Sequence, residues 1–220
     1  MKEAQLQLKQ YEYYRTDLGV LYHADCLQIM PKLEPVDLVL TDPPYGVNLN
    51  YKSYDDTKKD HADKITLWFD LMRSNSQILA ISCGIINIWK WPQADWSLCW
   101  HKPFSVGHSP FGANNWEPIL VYLKTGKGRR CDRQSDFFDA TFMKYDCDHP
   151  CPKPIGWALE SLRILSKKNE LILDPFLGSG TTAIACERLN RRWIGIEIEE
   201  KYCEIAAKRI EKENQQLKMF

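Results

Sequence analysis

Two short stretches hold residues whose types and spacing suit one piece of chemistry. The first is "TDPPYG", where Asp42, Pro43, Pro44 and Tyr45 follow the apolar run "VDLVL". The prolines fix φ and remove two backbone donors, so carbonyls point outward with no competing N–H beside them. Asp42 adds a carboxylate acceptor and Tyr45 a flat π face. Such a corner suits an exocyclic amino group. The carboxylate and a proline carbonyl accept its two N–H bonds, and the tyrosine stacks on the ring that carries it. An aromatic amine is a poor nucleophile because its lone pair is delocalised. Accepting its hydrogens in a tetrahedral arrangement directs that lone pair at an electrophile, by positioning and electrostatics and with no covalent intermediate.

The second stretch is "LILDPFLGSGTT", which contains Asp174, Phe176, Gly178, Ser179, Gly180 and Thr181. Glycines here let the backbone turn tightly and approach a ligand closely. The helix expected after them offers free N–H groups. A further apolar run ends in Glu197, about twenty residues on, where an acid can accept from both ribose hydroxyls. Together these describe a nucleoside-containing ligand lying across two adjacent strand ends. The plain alternative is a glycine-rich strand-to-helix turn with a surface glutamate. The third glycine of the dinucleotide fingerprint and the Lys-Ser/Thr of the nucleoside triphosphate loop are both missing.

The elements that must position these residues follow from the apolar patterning. Short apolar runs recur at Val20–Tyr22, Val36–Leu40, Ile78–Ser82, Trp96–Trp100, Ile119–Leu123, Leu171–Leu173 and Trp193–Ile196. Most lack strict alternation, as strands covered on both faces do. Helical spacing joins Ile155, Leu159, Leu162 and Leu165, then Thr182, Cys186 and Leu189, then Tyr202, Ile205, Ala206 and Ile210. Strands alternating with helices predict an α/β fold with a largely parallel sheet, in which ligands bind beyond the strands' C-terminal ends. Both stretches fall at such ends. Gly46–Lys64, with Tyr51 and Tyr54, and Thr125–Pro150, with "KTGKGRRCDRQ", read as loops or a small insertion.

Bulk composition sets bounds. The 220 residues suit a single domain over 1–220, with 125–150 as a small insertion serving target recognition. Hydrophobic residues make up 44%, and 29 basic residues balance 29 acidic ones. A nucleic-acid ligand would therefore have to meet local rather than global positive charge. No run has the length of a membrane helix, and the polar start "MKEAQLQLKQ" is no secretory signal, so the expected location is the cytoplasm with no membrane partner. Of the eight cysteines, Cys83, Cys186 and Cys203 sit in apolar or helical patterns and read as buried thiols. Cys131, Cys147, His149 and Cys151 are the only metal-like group. Their tight Cys-x-His-x-Cys spacing matches no paired-knuckle pattern, so no metal is expected.

"TDPPYGV", followed far downstream by "DPFLGSGTT", resembles the amino-DNA methyltransferases, which methylate adenine N6 or cytosine N4 with S-adenosylmethionine. "LYHADCLQIMPKL" resembles the strand-end motif whose acid, here Asp25, contacts the cofactor's adenine. "HPCPKP" resembles the family's His-Pro-x-x-Lys-Pro, which puts Lys153 near the cofactor; Cys151-Pro152 departs from the common Thr-Gln pair. The resemblance sets Phe176 beside the adenine, Gly178, Ser179, Gly180 and Thr181 along the cofactor with Asp174 before them, and Glu197 on the ribose. Tyr202 and Arg209 match the final helix. The catalytic motif precedes the cofactor loop, as in the permuted β class. The implied fold is a Rossmann-like, circularly permuted methyltransferase. Its mostly parallel seven-stranded sheet has order 3-2-1-4-5-7-6 with one antiparallel strand, Ile119–Leu123.

The resemblance makes DNA the substrate, with the target base flipped out of the duplex onto Tyr45. Lys127, Arg129, Arg130 and Arg133, with Lys124 nearby, then contact phosphate; a solvated basic loop is the alternative. Asp at the first position of the corner leans towards adenine N6, whereas Ser is commoner in cytosine N4 enzymes. Cytosine N4, an RNA amino group and a decayed DNA-binding protein stay as alternatives. A homodimer and a cognate restriction enzyme are the partners to look for. The Pro150-Cys151 pair suggests cytosine C5 chemistry, but that needs a Glu-Asn-Val partner the chain lacks and leaves the corner without a purpose.

Overall fold

A computed structural model describes residues 8–45, 58–103, 108–125, 135–141 and 153–217. The strands are β1 (Glu12–Arg15), β2 (Gly19–His23), β3 (Val36–Thr41), β4 (Ser76–Ser82), β5 (Trp96–His101), β6 (His108–Ser109), β7 (Gly112–Ala113), β8 (Trp116–Leu123), β9 (Phe137–Asp139), β10 (Leu171–Asp174) and β11 (Arg192–Glu197). The α-helices are α1 (Cys26–Ile29), α2 (Lys58–Ser74), α3 (Ile155–Leu165), α4 (Thr181–Leu189) and α5 (Glu200–Leu217).

Nine strands form one sheet in the order β1-β2-β11-β10-β3-β4-β8-β5-β9, and β6 and β7 make a separate hairpin. The middle seven strands follow the expected order, and among them only β8 runs against its neighbours. The sheet is larger than the seven strands expected. β1 adds antiparallel to β2 at one edge, and β9 adds parallel to β5 at the other. Both are short, and neither is a purely apolar run of the kind that marks a buried strand, since edge strands are covered less completely. β9 lies within the stretch read as loop or insertion. Lys58–Lys64, likewise read as loop, is the first part of α2.

The near-continuous apolar strands exist because helices cover both faces. In β4, Ile78 and Ala80 face a core shared with Trp157 and Leu162 of α3, Ile184 of α4 and Ile210 of α5. Leu79 and Ile81 face the opposite core, with Ile29 of α1 and Ile65, Trp68 and Met72 of α2. The period-two geometry of a strand splits alternate residues between these layers. Cys83, Cys186 and Cys203 are buried free thiols, as expected. No described helix is long and apolar enough to cross a membrane.

This topology puts the chemistry at one edge. β2, β11, β10, β3 and β4 are parallel, so Asp25, Glu197, Asp174, Asp42 and Gly84 emerge from the same side of the sheet. Chain connections leave β10 and β3 in opposite directions, which makes the crevice between them the natural place for a ligand. Because β8 runs the other way, its first residues, Trp116 and Glu117, reach this same side.

Candidate active site

At the corner, the Tyr45 hydroxyl donates to Asp42 Oδ1 at 2.6 Å. The Lys153 ammonium stands 3.2 Å from that same oxygen and donates to the Tyr45 hydroxyl at 3.1 Å. Its charge also lies 5.3 Å from the centre of the tyrosine ring. Asn87 Nδ2 donates to the Tyr45 carbonyl at 3.3 Å, so the chain after the prolines is held as well as stiffened. Gly84 is required here: its φ is +65°, and a Cβ would come within 3.2 Å of the Tyr45 ring. Burial pushes the Asp42 carboxyl up, against the pull of Lys153 and Tyr45. Burial and Asp42 raise Tyr45 well above its ordinary value. Burial opposes the charge on Lys153, but Asp42, Tyr45 and Glu117 outweigh it and hold the amine well above its usual range. Lys153 is thus a cation at neutral pH and Tyr45 a neutral donor.

The glycine loop is arranged around Glu197. Its Oε2 accepts from Gly178 N and its Oε1 from Glu199 N, both at 2.8 Å. Each oxygen keeps a further lone pair for a ligand hydroxyl. Burial raises the Glu197 carboxyl to about 7. Asp174 is turned towards its own loop: Oδ1 accepts from Thr41 Oγ1 at 2.7 Å and from Phe176 N at 3.1 Å. Burial raises it to about 6, with Thr182 and Thr41 opposing. Asp25 caps α1 by accepting from Leu27 N at 2.9 Å. Phe176 meets Trp68 of α2 edge to face, with ring centres 4.9 Å apart. Arg209 of α5 donates to Ser179 Oγ at 2.7 Å. Thr181 Oγ1 donates to the Lys153 carbonyl at 3.2 Å, which ties the loop to the corner.

Both groups line one cavity. Every described residue that the sequence marks for catalysis or the cofactor borders it except Gly180, which sits behind the wall. Gly180 caps α4 at φ +86°, with its Cα packed on Ala206 of α5. Lys127, Arg129, Arg130 and Arg133, the loop part of Gly46–Lys64 before Lys58, and Cys131, Cys147, His149 and Cys151 lie outside the described residues. Among the described residues, no group of three or more His, Cys, Asp or Glu is placed to hold a metal ion. Sequence reasoning missed Lys64 and Trp68, because α2 was not recognised, and Trp157, a core residue of α3 that also reaches the cavity. It also missed Glu117, whose Oε2 accepts from Lys153 at 3.2 Å. A carboxylate at one strand end, an aromatic pair beside it and a cavity wall with more acids than lysines fit a nucleoside that carries a positive charge.

A Rossmann-like sheet with such a crevice defines an S-adenosylmethionine-dependent methyltransferase. A family profile described as DNA methylase, of the N6/N4 methyltransferases, matches residues 36–208, and the chain belongs to that family. It is 28% identical to the Type II methyltransferase M2.LlaDCHI of Lactococcus lactis subsp. cremoris, over 91% of this chain and 92% of that protein. It is also 28% identical to M2.DpnII of Streptococcus pneumoniae, over 92% and 93%. Among solved structures, the complex of M1.HpyAVI with S-adenosylmethionine superposes with a TM-score of 0.65 at 25% identity, covering 87% of this chain and 98% of that one. The cytosine-N4-specific PvuII DNA methyltransferase shares the fold, with a TM-score of 0.73 at 18% identity and 93% of each chain covered. The protein is an S-adenosylmethionine-dependent amino-methyltransferase of DNA.

Proposed function

We infer that the target is the N6 amino group of adenine, flipped out of duplex DNA. The observation behind an amino group as target, which suits either base, is the state of Asp42. Its Oδ1 takes both the Tyr45 hydroxyl and Lys153, which leaves Oδ2 to accept an amine proton. Aspartate rather than serine at this position favours adenine. When bound, S-adenosylmethionine would supply an electrophilic methyl group from its sulfonium, and the amine nitrogen would gain that methyl and lose a proton.

The chain's part is to hold and orient. Asp42 and the Pro43 carbonyl accept the amino hydrogens, Pro44 keeps the turn stiff, and the Tyr45 ring receives the base. Asp42 stabilises the positive charge that develops on nitrogen. For the cofactor, Glu197 takes the ribose hydroxyls, Phe176 and Asp25 flank the adenine, and Gly178, Ser179 and Thr181 line the remainder. In this reading Asp174 holds the cofactor loop at the cavity wall, Gly180 shapes it from behind, and Lys153 serves the corner as well as the cofactor side. Lys127, Arg129, Arg130 and Arg133 hold phosphates, and 125–150 reads the target sequence. A restriction enzyme of matching specificity, in keeping with the Type II names of the relatives, completes the reading, with assembly as a homodimer and a cytoplasmic location.

Methylation-aware sequencing of DNA from cells expressing the protein tests it. N6-methyladenine in one sequence context is expected. N4-methylcytosine would overturn the base assignment, and unmodified DNA would overturn the reading as a whole.

A further inference from the structure

Glu117 does not border the cavity, yet it is built into the corner. It is the second residue of β8, and its carboxylate bridges two ammonium groups. Oε1 accepts from Lys102 at 2.8 Å and Oε2 from Lys153 at 3.2 Å. Lys102 is only 3% exposed and Lys153 only 8%. Both ammonium groups lie over the Trp100 ring, 5.6 Å and 5.2 Å from its centre. Trp100 is itself fixed by donating to the Ala140 carbonyl at 2.9 Å. Lys153 thus donates to the Tyr45 hydroxyl and to Glu117 and forms an ion pair with Asp42.

This arrangement has two consequences for Asp42. The first is geometric: Glu117 holds Lys153 on the Oδ1 side and leaves Oδ2 for substrate. The second is electrostatic. Two lysines and two carboxylates sum to zero charge. The reaction brings a sulfonium to this corner and moves its single positive charge onto the amine nitrogen as the methyl group passes across. Without Glu117 the corner would carry a net positive charge in a buried setting, where such repulsion is strong. Lys153 would also be left to Asp42 and Tyr45 alone, in competition with the amine.

Resting on the assignment of Asp42 as the amine acceptor, we propose that Glu117, braced by Lys102, is a positioning residue for methyl transfer. It aims Lys153 at one oxygen of Asp42 and keeps the corner uncharged overall. The titratable groups around Asp42 are Tyr45, Lys153 and Glu117, with Lys102 behind, Cys83 after β4 and Asp174 at the end of β10.

Glu117→Gln keeps the shape and removes the charge. Single-turnover methyl transfer across pH reads the effect, with cofactor affinity and melting temperature measured alongside. The rate at saturating cofactor is expected to fall by roughly tenfold or more. The acid limb of the pH profile is expected to move to lower pH, because Glu117 repels the charge on Asp42. Adding Lys102→Met, which restores charge balance, is expected to recover part of the rate. A purely structural role predicts a slower enzyme with an unmoved limb and no recovery, and that result overturns the proposal, as does a wild-type rate. If Glu117→Gln does not fold, Glu117→Asp, which retracts the carboxylate by one methylene, takes its place, and a wild-type rate with an unmoved limb again overturns the proposal. A wild-type protein that methylates no base in DNA overturns the Asp42 assignment and this inference together. That outcome is distinct, because the defect then precedes any substitution.

Discussion

At the scale of single residues, the proposed function divides the site into groups that act on the amine and groups that bind the cofactor, and each set has its own signature. On the proposed assignment, replacing Asp42 with Ala removes the acceptor that directs the amine. Methyl transfer should fall by at least about 10²–10³-fold while cofactor binding measured by calorimetry stays near wild type. Glu197 behaves differently. In its proposed role the carboxyl, raised to about 7 by burial, accepts two ribose hydroxyls best when ionised. Cofactor affinity should therefore strengthen as pH rises towards about 7 and then level off, at up to about tenfold per pH unit on the acid side. In Glu197→Gln this Glu197-dependent slope should vanish, and binding should be weaker throughout. Stability of the free protein runs the opposite way. A carboxyl raised in the folded state contributes stability in acid, and that contribution is lost as pH rises through about 7.

At the scale of elements, the loop between β10 and α4 depends on a residue that never borders the cavity. Gly180 has φ +86°, and a Cβ there would meet Ala206 Cβ at 3.1 Å and its Cα at 3.2 Å. The second of these is backbone and cannot swing aside. Gly180→Ala should cost about 1–3 kcal/mol and lower the melting temperature by roughly 3–10 °C, and α5 should move away from the loop. Most of this element was legible beforehand, since a glycine pair between a buried strand and a helical pattern has few other readings. The helix α2 was not. Its opening, "KKDHADK", is charged and merges with the polar stretch before it, so periodicity begins only at Ile65. Its Trp68 nevertheless reaches the opposite core and braces Phe176.

At the scale of the whole molecule, the formal charge is zero, so DNA affinity must come from a local concentration of Lys and Arg. Replacing Lys127, Arg129, Arg130 and Arg133 with Ala together should weaken binding to all DNA sequences alike. The slope of log affinity against log salt should drop by about 0.9 for each phosphate that is no longer neutralised. Fluorescence anisotropy across a salt series measures this. An unchanged slope would show that these residues are a solvated loop and that the phosphates are held elsewhere.

Adjacent residues determined the chemistry of each half of the site. Asp42-Pro43-Pro44-Tyr45 is stiff because of its own prolines, and the turn after Asp174 is tight because of its own glycines. The strand and helix periods also determined the fold class, since an apolar run covered on both faces differs from an amphipathic helix within a few residues. The largely parallel sheet read from those periods already implied that both strand ends share a side, and parallel pairing of β3 with β10 brings them there. What was left to the tertiary structure was Glu117. In the sequence it is an acid at the start of a strand, with nothing nearby to mark it. Only because β8 runs against β4 and β5 does that start arrive beside Lys153, 36 residues away along the chain. Strand direction is set by how the sheet closes its core, and no local pattern in "NNWEPILVYL" encodes it.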